Sequence, residues 1–190
     1  MLPTQRLPST PLYCLLEGFR TDLLFAAKGN DRVNRTWPIL TGSVLELHAA
    51  RVARTVAELC SELVIRHSAE SVTSEQRRFL LHAGARMGVA LQYVNIARDI
   101  AVDARLCRGN IPTTWLAEVG PKPNAIIANP HDWKLGALRD RLLDEADCIY
   151  KEARPAIEAL PSKARAPLHA VVESYMEIGR TLQRIVHLRK

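Results

Sequence analysis

The central stretch of the chain, residues 86–104, reads Arg-Met-Gly-Val-Ala-Leu-Gln-Tyr-Val-Asn-Ile-Ala-Arg-Asp-Ile-Ala-Val-Asp-Ala. Apolar residues fall on nearly every side of the helix that it would form, and such a helix is typically buried. Gly88 begins one face that differs, because this face continues with polar side chains at helical spacing. These side chains are Gln92, Asn95, Asp99 and Asp103. The stretch therefore predicts a buried central helix with one polar stripe.

Asp99 and Asp103 lie one helical turn apart in this stripe. Two like charges at that spacing repel by about 0.2–0.5 kcal/mol on an exposed helix, and burial adds the cost of removing water from them. Mg²⁺ would neutralise the pair, since it prefers oxygen ligands and bridges carboxylates to phosphates; Mn²⁺ is the alternative. Asn95 would add a neutral oxygen and Gln92 a hydrogen bond. A second interpretation stays open, in which both carboxylates face solvent and pair with nearby arginines.

Arginines accompany the acidic pair: Arg98 precedes Asp99, and Arg105 and Arg108 follow the stripe. Guanidinium groups hold phosphate oxygens through paired hydrogen bonds. The pattern is therefore typical of a diphosphate site in which these arginines contact the ligand. Two alternatives stay open: Arg98 on the far side of the helix, and arginines that only complement the helix dipole at its C-terminus.

The composition is that of one soluble globular domain. The chain has 190 residues, 47% hydrophobic and 24% charged, which excludes bulk disorder, collagen and coiled-coil rods. The pattern shows neither a membrane-spanning run nor a signal peptide, so a cytoplasmic location is expected. Four scattered cysteines are typical of reduced thiols and disfavour a zinc site. The net charge of +6 suits an anionic small molecule or a plain solvated surface, whereas scattered basic residues and few aromatics disfavour nucleic acid.

Helical periodicity covers most of the remaining chain, and strand patterns are nearly absent. An all-α bundle is therefore predicted, with five main helices that begin or end at recognisable caps and prolines. The first helix begins at Thr10 with Pro11 in its first turn, and the second runs from Ser43 to about His67, with Glu46 completing a capping box. The third runs from Ser74 to about Ala104, the fourth from Asp132 to about Ala159 and the fifth from about Ala164 to His187.

Three further local predictions concern the first helix and the connections. The apolar face of the first helix is formed by Leu12, Leu15, Leu16 and Phe19. Residues 28–37 are polar and predict a loop. A short helix is expected from Thr113 or Thr114 to Gly120, and the proline-rich residues 121–130 are expected not to be helical.

Residues 92–104, followed by Arg108 and residues 111–116, resemble the trans-isoprenyl diphosphate synthases that join two prenyl diphosphates head to head, the squalene/phytoene synthase family. The second acidic motif of that family, N-x-x-x-D-x-x-x-D, is met by Asn95, Asp99 and Asp103. The stretch is most similar to the phytoene synthase part of the fungal bifunctional lycopene cyclase/phytoene synthases. The likeness covers nearly the whole chain, including residues 11–23, 52–60, 141–150 and 175–180.

The resemblance implies one domain over residues 1–190, a helical bundle of the isoprenoid synthase type. It implies a Mg²⁺-dependent transferase of carotenoid biosynthesis that condenses two geranylgeranyl diphosphates to phytoene through an allyl cation and a cyclopropyl intermediate. A squalene-type synthase shares the motif and stays an alternative, and a lipophilic product implies peripheral membrane contact. The implied metal ligands are Asn95, Asp99 and Asp103, the two aspartates being catalytic, and the implied substrate contacts are Gln92, Arg98, Arg105 and Arg108.

Several positions depart from the family pattern. The family's first acidic motif is expected before residue 1, and upstream of Asp99 only isolated aspartates occur. The departures predict an N-terminally incomplete or degenerate enzyme domain, with a non-catalytic helical partner of a full-length synthase as the alternative. They are Asp22 and Asp31, which stand alone, His48 in place of an aromatic residue, Arg54 in place of a glycine near the pocket, Cys107 in place of a second glycine, and Asn110 in place of a tyrosine.

Overall fold

The computed structural model describes residues 7–26, 37–120, 122–131 and 134–187. Within these residues all regular structure is helical, so the predicted all-α class is confirmed. The elements are α1 (Thr10–Ala26), α2 (Gly42–Ala49), a π-helix (Ala50–Arg54), α3 (Thr55–Arg66), α4 (Ser74–Arg105), α5 (Thr113–Val119), α6 (Pro123–Ala128), α7 (Lys134–Ala153), a 3₁₀-helix (Arg154–Ala159) and α8 (Ser162–His187).

Helix α4 is the central element of the bundle, as its sequence predicts. Its 32 residues span about 48 Å at the rise of an α-helix, and it packs against α7, α3, the π-helix and α8. The N-cap is Thr73, one residue before the predicted Ser74. The Thr73 side chain accepts a hydrogen bond from the Gln76 amide at 3.2 Å, and the Gln76 side chain accepts one from the Thr73 amide at 2.9 Å, which completes a capping box.

The second predicted helix is divided by a π-helical turn. Its N-cap is Thr41 and not Ser43, because the Thr41 hydroxyl accepts a hydrogen bond from the Val44 amide at 3.3 Å. The π-helix at Ala50–Arg54 then lies between α2 and α3. A π turn widens the helix locally and is frequent beside functional sites; here it contacts both α1 and α4.

Helix α1 begins at Thr10 as predicted, but the prediction of its buried face is wrong. Leu12, Leu16 and Phe19 are 39%, 60% and 50% exposed, whereas Pro11 and Gly18 are buried. A Cβ atom on Gly18 would lie 2.6 Å from Cγ1 of Val52. The side of α1 that carries Gly18 therefore packs against the π-helix, and the absence of a side chain permits this close approach.

The region before α7 holds more helix than predicted. The short helix α5 ends at Gly120, whose φ of 96° is the left-handed C-cap conformation, as expected. The expectation that residues 121–130 are not helical is wrong, because α6 occupies Pro123–Ala128. A proline in the first turn is tolerated, since its missing N–H would have no partner within the helix.

The last two helices follow the prediction with shifted ends. Helix α7 gives way to the 3₁₀-helix, whose second residue, Pro155, cannot continue the α-helical hydrogen bonds. Helix α8 begins at Ser162, two residues earlier than predicted. The predicted cap Asp132 and residues 28–36 of the predicted loop lie outside the described residues. Among the helices described, none is long and apolar enough to cross a bilayer.

Candidate functional site

A polar cavity of about 290 Å³ lies beside the C-terminal half of α4. Helices α1, α2, α4 and α8, the π-helix and the loop after α4 all contribute to its wall. The polar stripe of α4 faces it, because residues three and four apart share one side of a helix. The lining residues are Phe19, Asp22, His48, Val52, Gln92, Asn95, Ile96, Arg98, Asp99, Asp103, Arg108, Asn110 and Tyr175.

Asp99 forms a bidentate ion pair with its neighbour Arg98. Nε and one terminal nitrogen of Arg98 donate to the two carboxylate oxygens of Asp99, each at 2.7 Å. These hydrogen bonds raise the pKa of the Arg98 guanidinium above its ordinary value. Both side chains are about one-third exposed and line the cavity. Arg98 therefore lies on the cavity side of α4. Its guanidinium group binds the carboxylate of Asp99, which the sequence analysis predicts to be a metal ligand.

Asp103 lies deeper and is held from the loop that follows α4. Burial raises the pKa of its carboxyl above the ordinary value, and the charges of Asp99 and Asp22 act in the same direction. A hydrogen bond from Nδ2 of Asn110 to Oδ2 of Asp103, at 2.9 Å, and the nearby charge of Arg108 act in the opposite direction. Burial and the two neighbouring carboxylates therefore disfavour the charged form of Asp103, and a nearby positive charge would offset this cost.

Asn95 is oriented from the opposite wall by α8. The hydroxyl of Tyr175 donates to Oδ1 of Asn95 at 3.0 Å, and it also interacts with Arg98. Gln92, one position earlier in the stripe, lines the same cavity. The C-terminal helix thus holds the amide oxygen of Asn95 in one orientation, although the two residues are 80 positions apart in the sequence.

Two of the nominated arginines differ in their placement. Arg108 lines the cavity, whereas Arg105 is exposed and is not among the lining residues. The reason is helical geometry: Arg105 follows Asp103 by two positions, about 200° around the helix, so it points away from the stripe. Arg54, which the sequence analysis places near the pocket, is not among the residues that line the polar cavity or the apolar cavity. It is half exposed, and its Nε donates to Oε1 of Glu58 at 2.9 Å.

Asp22 and His48 are site residues that the sequence pattern did not reveal. Asp22 of α1 lies across the cavity from the stripe, with Oδ1 3.7 Å from Nε2 of His48. His48 is 4% exposed. Burial lowers its pKa, the charge of Asp22 opposes this shift and that of Arg51 adds to it. Asp22 was considered isolated because only the packing of α1 against the π-helix brings it to this cavity.

A second cavity, of about 150 Å³ and apolar, continues along α4 toward its N-terminus. It lies between α3, α4, the 3₁₀-helix and α8, and its wall includes Ala57, Leu80, Gly88, Ile157 and Val172. Gly88 stands one turn before Gln92 on the same face of α4. The polar and apolar cavities are therefore neighbours along one face of the central helix.

The polar groups that line this cavity are carboxylates, side-chain amides, guanidinium groups, the imidazole of His48 and the hydroxyl of Tyr175. Among the residues that the structure describes, no three His, Cys, Asp or Glu side chains are close enough to enclose a metal ion. Asp99, Asp103 and the amide oxygen of Asn95 are of the oxygen-donor type that Mg²⁺ prefers.

The model of the squalene/phytoene synthase family matches residues 1–186. The chain belongs to the squalene/phytoene synthase family. Similar curated proteins are bifunctional lycopene cyclase/phytoene synthases from Gibberella fujikuroi, 47% identical over 182 residues, and from Leptosphaeria maculans, 48% identical over 183 residues; in both, 96% of this chain is covered. The chain spans about 30% of the length of these relatives.

The fold of this family member also matches a solved structure. A squalene synthase, HpnC from Alicyclobacillus acidocaldarius, superposes with a TM-score of 0.72 at 22% identity, covering 98% of this chain and 63% of that one. Together with the all-helical structure, this likeness confirms the predicted isoprenoid synthase fold.

Proposed function

We propose that this squalene/phytoene synthase family member carries out a head-to-head prenyl transfer, in which two geranylgeranyl diphosphates are condensed to phytoene with the help of Mg²⁺. Membership of the family and 47% identity to fungal bifunctional lycopene cyclase/phytoene synthases support the reaction class. Because the chain spans less than one-third of those proteins, the substrate, the product and the metal are proposals for this chain.

One observation carries the proposal: a polar cavity with an acidic pair and an apolar cavity follow one another along a single face of α4. A prenyl diphosphate has the same division, with a charged head and a long hydrocarbon chain. The head would lie beside Asp99 and Asp103, and the chain would lie against the apolar wall formed by α3, α4 and α8. Binding would then bury hydrocarbon where the wall is apolar, which is the favourable direction for transfer from water.

Asp99, Asp103 and Asn95 would hold the Mg²⁺ ion in this site. Bound there, the ion would supply charge stabilisation to the departing diphosphate. Arg98 and Arg108 would bind the diphosphate oxygens, with Arg98 exchanging its present partner Asp99 for the ligand. The apolar wall would keep water from the allyl cation. Tyr175 would keep Asn95 in place through its 3.0 Å hydrogen bond.

Asp99→Asn tests the metal role directly. We expect this variant to lose Mg²⁺-dependent binding of a non-hydrolysable geranylgeranyl diphosphate analogue, because the amide is a weaker ligand and bears no charge. The measurement is isothermal titration calorimetry of both proteins with and without Mg²⁺. The matched control is Asp144→Asn on the exposed side of α7, where Asp144 only accepts a hydrogen bond from Gln183. Equal Mg²⁺-dependent binding by wild type and Asp99→Asn would contradict the metal role.

A second candidate is a non-catalytic helical partner of a full-length synthase. The exposed apolar residues of α1 favour it, since such residues often mark contacts with other proteins; they include Leu12, Leu16, Phe19 and Leu23. A product assay separates the candidates. Phytoene from geranylgeranyl diphosphate supports the first, squalene from farnesyl diphosphate with added NADPH as hydride donor indicates a squalene-type synthase, and binding without product supports a partner role. A cytoplasmic location and peripheral membrane contact stay predictions.

A further inference from the structure

Asn110 lies in the loop after α4 and is held there by its neighbours. The amide of Arg108 donates to the carbonyl of Asp103 at 2.8 Å, which turns the chain back toward the cavity. Gly109 packs directly beneath the ring of Trp37, so that a Cβ atom there would collide with the indole. Ile111 is 2% exposed. The backbone of Asn110 is therefore anchored on both sides, and its side chain is presented to the polar cavity.

The two ends of the Asn110 amide have different environments. Nδ2 donates to Oδ2 of Asp103 at 2.9 Å, which engages one carboxylate oxygen and leaves the other for a further partner. Oδ1 of Asn110 is buried, and no described residue donates a hydrogen bond to it. A buried amide oxygen without a donor is unfavourable. Asn110 also borders a small cavity of about 10 Å³ among isoleucines. The hydrogen bond to Asp103 is thus kept although Oδ1 has no donor, which indicates that Asn110 serves the orientation of this carboxylate.

We infer that Asn110 is a positioning residue of the diphosphate–metal site: its Nδ2–H fixes the orientation of the Asp103 carboxylate, which would hold Asp103 ready to ligate the cation. The inference rests on the proposed function. Mg²⁺ keeps several of its waters in protein sites, and hydrogen bonds from neighbouring residues to ligating carboxylates tune metal affinity. The tyrosine that the family resemblance places here would offer a hydroxyl and no amide, so this amide–carboxylate hydrogen bond is a feature of this chain.

Asn110→Leu removes the hydrogen bond to Asp103 and keeps the number of side-chain heavy atoms. We measure Mg²⁺ affinity in the presence of inorganic pyrophosphate by calorimetry, and the melting temperature of the metal-free protein. The expected result is about 10–100-fold weaker Mg²⁺ binding, the usual loss when such a supporting residue is removed. The metal-free melting temperature should change little, because the lost hydrogen bond to Asp103 is offset by the removal of a buried oxygen without a donor. Asn129→Leu at an exposed position is the matched control.

A purely structural role predicts the reverse pattern, with a lower melting temperature and unchanged Mg²⁺ affinity. Asn110→Ala provides a second variant, since it cannot introduce a steric clash. Unchanged affinity in both variants overturns the inference while the proposed function stands. A loss of affinity that occurs only together with a lower melting temperature in both variants overturns it as well. Wild-type protein that binds no Mg²⁺ with pyrophosphate overturns the inference and the metal role of the proposed function together.

Discussion

Cys107 has a φ of 59° and is the only non-glycine residue with positive φ among those described. It follows the C-cap of α4, where the chain must turn back toward Asp103 and a glycine is the usual residue. The family resemblance also places a glycine here. An L-residue in the left-handed region is strained because its Cβ approaches the following carbonyl oxygen.

We therefore expect Cys107→Gly to be more stable than Cys107→Ala by about 1 kcal/mol. The left-handed conformation costs a residue with a Cβ about 1–2 kcal/mol, and the greater freedom of glycine in the unfolded chain offsets part of that difference. The two variants both lack the thiol, so the comparison isolates the backbone. Urea denaturation measures the free energy of unfolding of each. Equal stability of the glycine and alanine variants would show that the positive φ carries no strain.

The acidic stripe shows how far a site can be predicted from local sequence. Asp99 and Asp103 share a helix, so the 3.6-residue period alone places them on one face. Asp22 and Tyr175 belong to the same cavity, but they come from α1 and α8, and no periodic signal connects them to α4. Their participation depends on how three helices pack. Sequence reasoning could have found Asp22 only through the pairing of α1 with the π-helix, which Gly18 permits.

At the scale of elements, the contact between α4 and the π-helix depends on Gly88. A Cβ atom there would lie 2.7 Å from the carbonyl oxygen of Ala53 and 2.9 Å from Cβ of Ala57. Both neighbours belong to helices, so neither moves without its element. Gly88, which begins the face of the polar stripe, is therefore a packing site, and it also lines the apolar cavity.

We expect Gly88→Ala to lower the free energy of unfolding. Overpacking costs about 1–3 kcal/mol and outweighs the gain of about 1 kcal/mol in helix propensity. The control is Gly84→Ala, one turn earlier on the same face, where the nearest atom is the rotatable Ser61 hydroxyl. Thermal unfolding followed by circular dichroism compares the two. A melting temperature for Gly88→Ala at or above that of Gly84→Ala would contradict the close packing of α4 on the π-helix.

For the molecule as a whole, stability should depend on pH through the buried His48. Burial between α1, the π-helix and α4 lowers its pKa below the ordinary 6.5, with Arg51 acting in the same direction and Asp22 opposing. As the pH falls through about 6.5, the His48 imidazole therefore becomes protonated in the unfolded chain but stays neutral in the native protein. Since the unfolded state then holds more protons, the free energy of unfolding falls with decreasing pH.

His48→Phe should remove this dependence, because phenylalanine fills the buried position without a titrating group. The measurement is urea unfolding between about pH 5 and pH 8, the range over which histidine titrates. His82→Phe at an exposed position is the control, and it should retain the wild-type pH profile. An unchanged slope in His48→Phe would show that another group causes the dependence.

Stability should fall again below about pH 4.5 in both proteins, since hydrogen bonds lower the pKa of Glu173 and Glu70.

The sequence by itself determined the helical class, the central position of α4 and the shared face of Asp99 and Asp103. These features depend on periodicity and on hydrophobic burial within one segment, which are local properties of the chain. Only the tertiary structure decided that Leu12 and Leu16 of α1 are exposed. It also decided that Asp22 and Tyr175 line the polar cavity and that Arg54 does not. Those outcomes depend on which helix surfaces approach most closely, and that is a competition among all elements at once that no single segment encodes.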